Sequence, residues 1–558
     1  MSSIPFKRLL VLPTTLSYAL VSYKPDTLLS TQPSYLGTFV LLYLLQFIGF
    51  AIWRVILYPY YFSPLRHLPS PKGGSWWNGQ WKRISGEPTG QPMLDWIQDV
   101  PNDGIIRYLG MLNSERVMVT NAKALSEVLA IKITISLNLP LFVSELDVSL
   151  ELRKNLMPAF AFRHVKNLYS VFWDKSCEGL KAMTKEVKAK ECGDIPNGVA
   201  EEEDGNDGSV TQPEKGVVIM EAMQWASRIT LDIIGAAGLG KDFGAIQDPD
   251  TLLNRTYRTV FKPTRSAQIL GFLQLFLPGW FVKRIPIKRN GEIEEAAETI
   301  RSVCRDLIHE KKSKLEKREL TDVDILSVAL ESGGFPDENL IDQLMTFLAA
   351  GHETTASSMA WAIYLLCAYP EVQSRLREEV RAKLPSPDSD ASVTSQDIDY
   401  MPYLNAVCNE ILRYFPPVPL TLREAAIDTT ISGQRIPKGT RVMLIPWAIN
   451  KDEKMWGSSA RKFDPDRWMT ENGESHNTGG GSSSNYAFLT FLHGPRSCIG
   501  QQFAKAEFAI LLATWIGRFE FELKDKKMMD EKNLDIKGGV TAKPSKGLYV
   551  KVKIVEGW

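Results

Sequence analysis

The chain has 558 residues, with 65 basic and 65 acidic side chains and a formal net charge of zero. That balance excludes nucleic-acid binding by overall charge, and no nucleic-acid partner is expected. The six cysteines (177, 192, 304, 367, 408 and 498) are scattered and form no CxxC pair. This argues against zinc and disulfide frameworks and for a reduced, cytosol-facing domain.

An apolar run at residues 9–21 is interrupted by Pro13 and several hydroxyls, and no small-residue cleavage site follows it. The sequence leaves open whether this run also spans a membrane. A second run, from Leu36 to Trp53, carries no charge. Extended to Tyr58 it is long enough to cross a hydrocarbon core of about 30 Å as a helix. Arg54 can snorkel there, and Tyr58, Tyr60 and Tyr61 suit an interface. Arg66, His67, Lys72, Lys82 and Arg83 follow, which places the next domain in the cytosol. The chain divides into an N-terminal segment 1–34, a transmembrane anchor 35–58, a hinge 59–72 stiffened by Pro64, Pro69 and Pro71, and one large domain 73–558.

Trp76, Trp77 and Trp81 suit either a membrane interface or simple packing. Strands are expected at 104–109 and 116–120, and helix at 121–129 and 161–173. Residues 191–216 are rich in Gly, Asp and Glu and read as a polar surface loop. A buried helix is expected at 224–240. Residues 269–282 are apolar and aromatic, which suits membrane contact or a channel lid, with core packing as the competitor. A charged amphipathic helix covers 292–317, acids early and bases late.

The longest helix is expected at 338–369, stopped by Pro370. Its middle reads Ala350, Gly351, His352, Glu353, Thr354, Thr355. A glycine in a helix interior costs about 1 kcal/mol against Ala, so Gly351 needs a reason. Thr354 can bond back to a carbonyl one turn earlier and locally open the helix, and Glu353 offers a carboxyl group for proton relay. A charged helix at 371–384 and a loop at 385–396 lead to a helix at 403–415. There Glu410 and Arg413 share a face. Residues 416–422 are proline-rich and extended, 429–437 form a hairpin around Gly433, and 440–447 a buried strand. A Gly/Ser-rich stretch at 473–485 delivers the chain to a loop at 491–500, and an alternating strand closes the sequence at 548–554.

That loop holds Cys498 between Gly494-Pro495 and Gly500, and an apolar helical run follows. Glycines allow close approach to a flat ligand, and free N–H groups at a helix start lower a thiol's pKa. The spacing Phe491, Gly494, Arg496, Cys498, Gly500 resembles the haem-binding loop of the cytochrome P450 family. The 350–355 stretch resembles that family's oxygen-activation motif. Glu410 and Arg413, taken with Arg467 in the run 463–468, resemble its Glu–Arg–Arg lock.

The resemblance implies a mainly α fold, the cytochrome P450 fold: a helical bundle with a small β-rich part, plus an N-terminal transmembrane helix. It implies haem b, with Cys498 as the axial iron ligand and Arg496, Arg423 and Arg153 on the propionates. A thiolate ligand favours O–O cleavage. His493 fits a loop position at the haem edge better than a rival ligand. Gly351 would let the backbone approach the haem, Glu353 and Thr354 would deliver protons, and Glu410, Arg413 and Arg467 would be structural. Phe347, Ala350 and residues 417–422 would line the substrate pocket.

The implied activity is a haem-thiolate monooxygenase acting with O2 on an apolar organic substrate. Its texture is that of fungal microsomal, secondary-metabolite enzymes. Electrons would come from NADPH–cytochrome P450 reductase, with the domain on the cytosolic face of the endoplasmic reticulum membrane. Arg163, His164 and Lys166 would face the electron donor, although a solvated basic face explains them equally well. Residues 130–152 depart from the family pattern, with Ser149 at an expected aromatic position. Two rivals follow: a P450-fold isomerase or dehydratase that uses no O2, and a damaged, non-enzymatic P450.

Overall fold

The computed structural model describes residues 6–23, 34–130, 150–192, 218–261, 264, 266, 269–270, 273, 279–319, 323–333, 337–537 and 541–558. Most of the aberrant stretch 130–152, Ser149 included, lies outside the described residues, as does most of the apolar run 269–282. So does most of the polar loop 191–216.

Two helices open the chain, α1 (Phe6–Tyr23) and α2 (Tyr35–Ile52). Ser34 caps α2 by accepting from the N–H of Gly37. The helix does not stop at the expected anchor end. It runs on as a wide π-turned segment, Trp53–Phe62, with Pro59 inside. Proline lacks the N–H that regular α-helix would use, which the wider turn tolerates. Tyr35–Phe62 is the one described helix long and apolar enough to cross a membrane by itself.

The first part of the expected hinge is therefore helix, and it is fastened to the domain. Asn113 Nδ2 donates to the carbonyls of Val55 (2.7 Å) and Trp76 (2.8 Å), and Arg107 Nη2 to that of Pro59 (2.6 Å). Trp76 and Trp77 are 66 % and 49 % exposed beside this junction, whereas Trp81 is half-buried.

The domain is a helical body with small sheets at its rim. Its main helices are α3 (Tyr169–Cys192), α4 (Ala222–Ile233), α5 (Leu252–Phe261), α6 (Lys288–Glu316), α7 (Asp337–Ala368), α8 (Pro370–Lys383), α9 (Pro402–Tyr414) and α10 (Gln501–Arg518). Helix α7 is the axis: α4, α6 and α10 all pack on it. It has two regimes. Every residue from Thr355 to Cys367 is buried, so that half is core all round. In the other half Ala350 is exposed and Phe347, Gly351 and Thr354 are half-buried. These four sit at i, i+3, i+4 and i+7, one face of the helix. Pro370 does not merely stop α7; it opens α8 at a first-turn position, where its missing N–H is unneeded.

Strands β1 (Ile105–Leu109), β2 (Glu115–Val119), β4 (Thr421–Glu424) and β7 (Arg441–Leu444) form one sheet in the order β1-β2-β7-β4. The strand expected at 440–447 is shorter than the pattern, because Pro446 starts a helical turn, Pro446–Ile449. Strands β5 (Thr429–Ile431) and β6 (Gln434–Ile436) pair across Ser432 and Gly433, both with positive φ. A second sheet sets the final strand β11 (Tyr549–Ile554) between β3 (Val218–Glu221) and β8 (Phe519–Leu523). A short pair, β9 (Ile536–Lys537) and β10 (Lys543–Pro544), lies against α7.

Candidate functional site

The loop before α10 is shaped by its backbone. A 3-10 turn, Gly494–Arg496, sits between Leu492 (φ 56°) and the cysteine, and the N–H of Cys498 donates to the carbonyl of Phe491 at 2.8 Å. A left-handed leucine costs about 1–2 kcal/mol, which the surrounding turn must overcome. Gly494 has φ 78°, a conformation that favours glycine. His493 Nε2 lies 3.0 Å from the carbonyl of Phe488, with its ring against Tyr486, so it belongs to the loop's own framework.

All six cysteines are free; four are buried, and Cys192 and Cys498 are exposed. Cys192 ends α3. Cys498 differs: protein surrounds its sulfur closely enough that burial pushes the thiol up, with the Gly500 N–H and the Arg153 charge pulling the other way. The expectation that the helix start lowers this thiol is outweighed by burial.

The accessible face of α7 lies near this loop. Phe160 bridges the two: its ring packs edge-on against Phe347 at 5.1 Å, and a Cβ on Gly500 would meet it at 3.8 Å. A second tie lies deeper, where Thr355 Oγ1 donates to Glu507 Oε2 of α10 at 2.9 Å. Thr354 Oγ1 donates to the carbonyl of Ala350 at 2.7 Å. Gly351 also packs tightly against the chain after α4. A Cβ there would stand 3.0 Å from the side chain of Ile234, so glycine is what lets the chain after α4 close onto α7.

Three guanidinium groups gather beside the cysteine. Arg153 Nη2 donates to the carbonyl of Ser497 at 2.7 Å. Burial, then the like charge of Arg496, lowers Arg423 to about 10. Burial likewise lowers Arg153, and Arg496 acts on it in the same direction. Arg423 donates to Thr421 Oγ1 and to the carbonyl of Leu422 at 3.0 and 3.1 Å. Like charges brought together under burial are relieved by a bound dianion. A soft sulfur donor, a glycine-turned loop and a cationic rim fit a flat, iron-bearing macrocycle with two carboxylates.

Beneath the loop lies the acid-base lock. Glu410 and Arg413 are fully buried. Glu410 accepts from Arg413 Nε and Nη2 (2.7 Å each), Arg467 Nε (3.2 Å), Trp468 Nε1 (2.9 Å) and the N–H of Asp464 (2.8 Å). Arg413 spends its other donors on the carbonyls of Asn450, Ala460 and Lys462. Asn450 in turn bonds Thr490 Oγ1 and the N–H of Leu489, the entry to the cysteine loop.

Glu353 points elsewhere. Its Oε1 accepts from Lys543 Nζ at 2.6 Å and Thr541 Oγ1 at 3.2 Å. The carbonyl of Ala542 between them is held by Ser357 Oγ and Trp361 Nε1 of α7, while its N–H donates to Pro417. The short segment 541–543 thus carries Glu353's partners and tethers the 417–422 segment. His352, Glu353 and Lys543 line a cleft of ≈ 530 Å³ that α4 and α5 also border. Burial pushes the His352 imidazole down, and its Nδ1 lies 2.8 Å from the carbonyl of Leu348. Arg163 and Lys166 are exposed and His164 is half-buried.

Sequence reasoning missed Lys543, Thr541 and Glu507. Glu507 alone left a signal, as a single acid in the otherwise apolar stretch 506–513.

Comparison with known proteins agrees with this geometry. The family profile described as Cytochrome P450 matches residues 115–552. The chain is 42 % identical to the cytochrome P450 monooxygenase sphH of Aspergillus fumigatus, over 97 % of each chain. It is 40 % identical to the cytochrome P450 monooxygenase ALT8 of Alternaria alternata, over 91 % of this chain and 92 % of that one. With FUM15 of Gibberella moniliformis, also a cytochrome P450 monooxygenase, identity is 41 % over 90 % of each.

Proposed function

The chain belongs to the cytochrome P450 family and is an oxidoreductase of its monooxygenase type; from that premise we propose that it oxidises an apolar organic substrate in fungal secondary metabolism, using haem b held by Cys498. The observation that carries the reading is Cys498 itself, enclosed yet accessible, beside three arginines. Electrons come from NADPH–cytochrome P450 reductase, and the enzyme works at the endoplasmic reticulum membrane with its domain toward the cytosol. The membrane helix and the basic residues after it support that placement.

When bound, a thiolate-ligated haem supplies the activation of O2. The chain's own residues do the rest. Arg153, Arg423 and Arg496 neutralise the propionates and fix the macrocycle's orientation. The half-buried face of Phe347 and Ala350, with residues 417–422, presents apolar surface to the substrate. Thr354 gives its own proton to Ala350, so its oxygen keeps lone pairs free to accept one. Glu353 reaches solvent through the cleft and gathers the proton there, then passes it toward Thr354 once its bond to Lys543 opens.

The test is the reduced carbon monoxide difference spectrum of the purified protein. The wild type gives the thiolate-type band, and Cys498→Ala loses it while keeping its melting transition. An unchanged spectrum in that variant removes the ligand assignment. Thr354→Ala keeps the band and spends NADPH without matching product; unaltered coupling removes Thr354 from proton delivery.

A further inference from the structure

We propose that α1 and α2 form a membrane-spanning helical hairpin, so that the residues ahead of α1 lie on the same side of the bilayer as the catalytic domain. Taken alone, α1 is rich in hydroxyls and interrupted by Pro13, and its sequence leaves a span undecided. The structure shows where those groups go. Helix α1 runs along α2, and the side chains closed into the seam are the small and polar ones. They are Pro13 and Ser17 on α1, and Thr38 on α2. Gln46, eight residues beyond Thr38 on the same stripe, has its Oε1 buried without a partner among the described residues.

The outward faces are mostly the reverse, with Thr14, Thr15 and Ser22 of α1 the exceptions. Leu12 and Leu16 on α1, and Leu36, Leu41, Leu45 and Ile48 on α2, are between 41 % and 73 % exposed. A helix pair in water buries its leucines and wets its serines. Polar residues inside and apolar residues outside is the arrangement that acyl chains select, since lipid offers no drive to hide leucine and small residues let helices pack closely.

The hydroxyls also meet the demand of a water-free medium. Thr15 Oγ1 bonds the carbonyls of Val11 and Leu12, 3.1 Å each, and Ser17 Oγ bonds that of Thr14 at 3.0 Å. Tyrosines gather at the connected end: Tyr18 stacks on Tyr35 at 6.1 Å, and the Tyr35 hydroxyl lies 3.1 Å from Ser22 Oγ. That is the level at which tyrosine sits in a bilayer. At about 1.5 Å per residue α1 is ~27 Å long, close to the ~30 Å hydrocarbon core.

Charge sets the direction. Lys7 and Arg8 stand at the open end of α1, and Arg54, Arg66 and Lys72 at and beyond the open end of α2. The connection between the helices carries one lysine and one aspartate, Lys24 and Asp26. The basic excess places both open ends in the cytosol. A helix lying flat on the membrane would turn its polar side to water; the buried Ser17 of α1 faces α2 instead.

The experiment is glycosylation mapping of the full chain, translated with microsomes. One version carries an Asn-X-Ser acceptor on a long Gly/Ser spacer between α1 and α2; the other carries it ahead of residue 6. The hairpin predicts that the first gains an endoglycosidase-sensitive mass and the second does not. Glycosylation ahead of α1 means a single crossing, and glycosylation of neither means no crossing; either result overturns the proposal. A readout free of the insertion is an epitope tag ahead of α1 in sealed microsomes. Protease removes it without detergent if the hairpin is right, and its protection overturns the proposal. Neither assay needs haem or turnover, so its failure leaves the monooxygenase reading untouched.

Discussion

Glu410 and Glu353 are both buried acids paired with a cation, and the protein holds them in opposite ways. Glu410 accepts five hydrogen bonds spread over both oxygens, from partners that are themselves nearly or fully buried. Its arginine uses all of its donors. Both bonds to Glu353 fall on one oxygen, and Lys543 keeps 22 % of its side chain exposed. A saturated, dry network has one arrangement and resists change. A single-oxygen pair at a wet cleft can open and close cheaply. The first suits a part that must hold the cysteine loop still, the second a part that must let a proton through.

The hardest way to break this comparison is Glu410→Ala. It strands two buried guanidinium groups, and removing one partner of a buried pair costs about 3–5 kcal/mol. We expect a loss of that size in denaturant unfolding, and little or no thiolate-type carbon monoxide band in what remains folded. A variant within about 1 kcal/mol of wild type would mean that Glu410 is no better anchored than an ordinary surface acid.

Glu507 sharpens the contrast as a third case. It is 1 % exposed, takes one hydrogen bond from Thr355, and leaves Oε1 without a partner among the described residues. Burial pushes it from 4.5 up to about 8. The sign follows. Between those values the folded chain holds a proton that the unfolded chain has released, so stability is fully present below about 4.5 and falls as pH rises toward about 8. One proton sets a ceiling of about 1.4 kcal/mol per pH unit. Glu507→Gln keeps the shape and a polar tip without the titration. Melts across that range should therefore flatten relative to wild type, and an identical pH profile would show that Glu507 is ionised in the fold.

The two glutamates were also legible in the sequence to different degrees. Glu410 could be placed because its partner Arg413 lies one helical turn away, and Arg467 sits in a short run of its own. The Cys498 loop was legible for the same reason, since a few consecutive residues carry its turn and its cysteine. Lys543 is 190 residues from Glu353, and only the packing of Ala542 onto Ser357 and Trp361 brings it there. Nothing local announces such a pair. Lys451 makes the same point: its ammonium sits over the rings of Tyr414, Phe415 and Trp447 at 4.1, 4.6 and 4.2 Å, and burial lowers it to about 7. In the sequence it is one lysine beside an aspartate. Gly351 was singled out as letting the backbone approach the ligand, while its packing on Ile234, which comes from a distant element, left no local signal. The helices around 338–415 were found within a few residues, since periodicity and proline are local signals, whereas α3 runs on to Cys192, well past the expected end at 173, and α5 was not expected.

The gentlest prediction tests the mobile member of the comparison. Lys543→Met removes the charge, keeps most of the aliphatic stem, and leaves Thr541 to bond Glu353. Lys543 is partly exposed but Glu353 is not, so we expect a loss of about 1–2 kcal/mol in denaturant unfolding, well short of that for Glu410→Ala. In a Glu353→Gln background the same change should cost almost nothing, because the interaction it removes is already gone. Lys543→Arg should restore the wild-type melt. Product formed per NADPH should move with Lys543→Met far more than stability does, since the carboxylate loses the cation that holds its Oε1 at the cleft. If Lys543→Met instead unfolds the chain as Glu410→Ala is expected to, the Glu353 pair is a second lock and the difference between the two acids disappears.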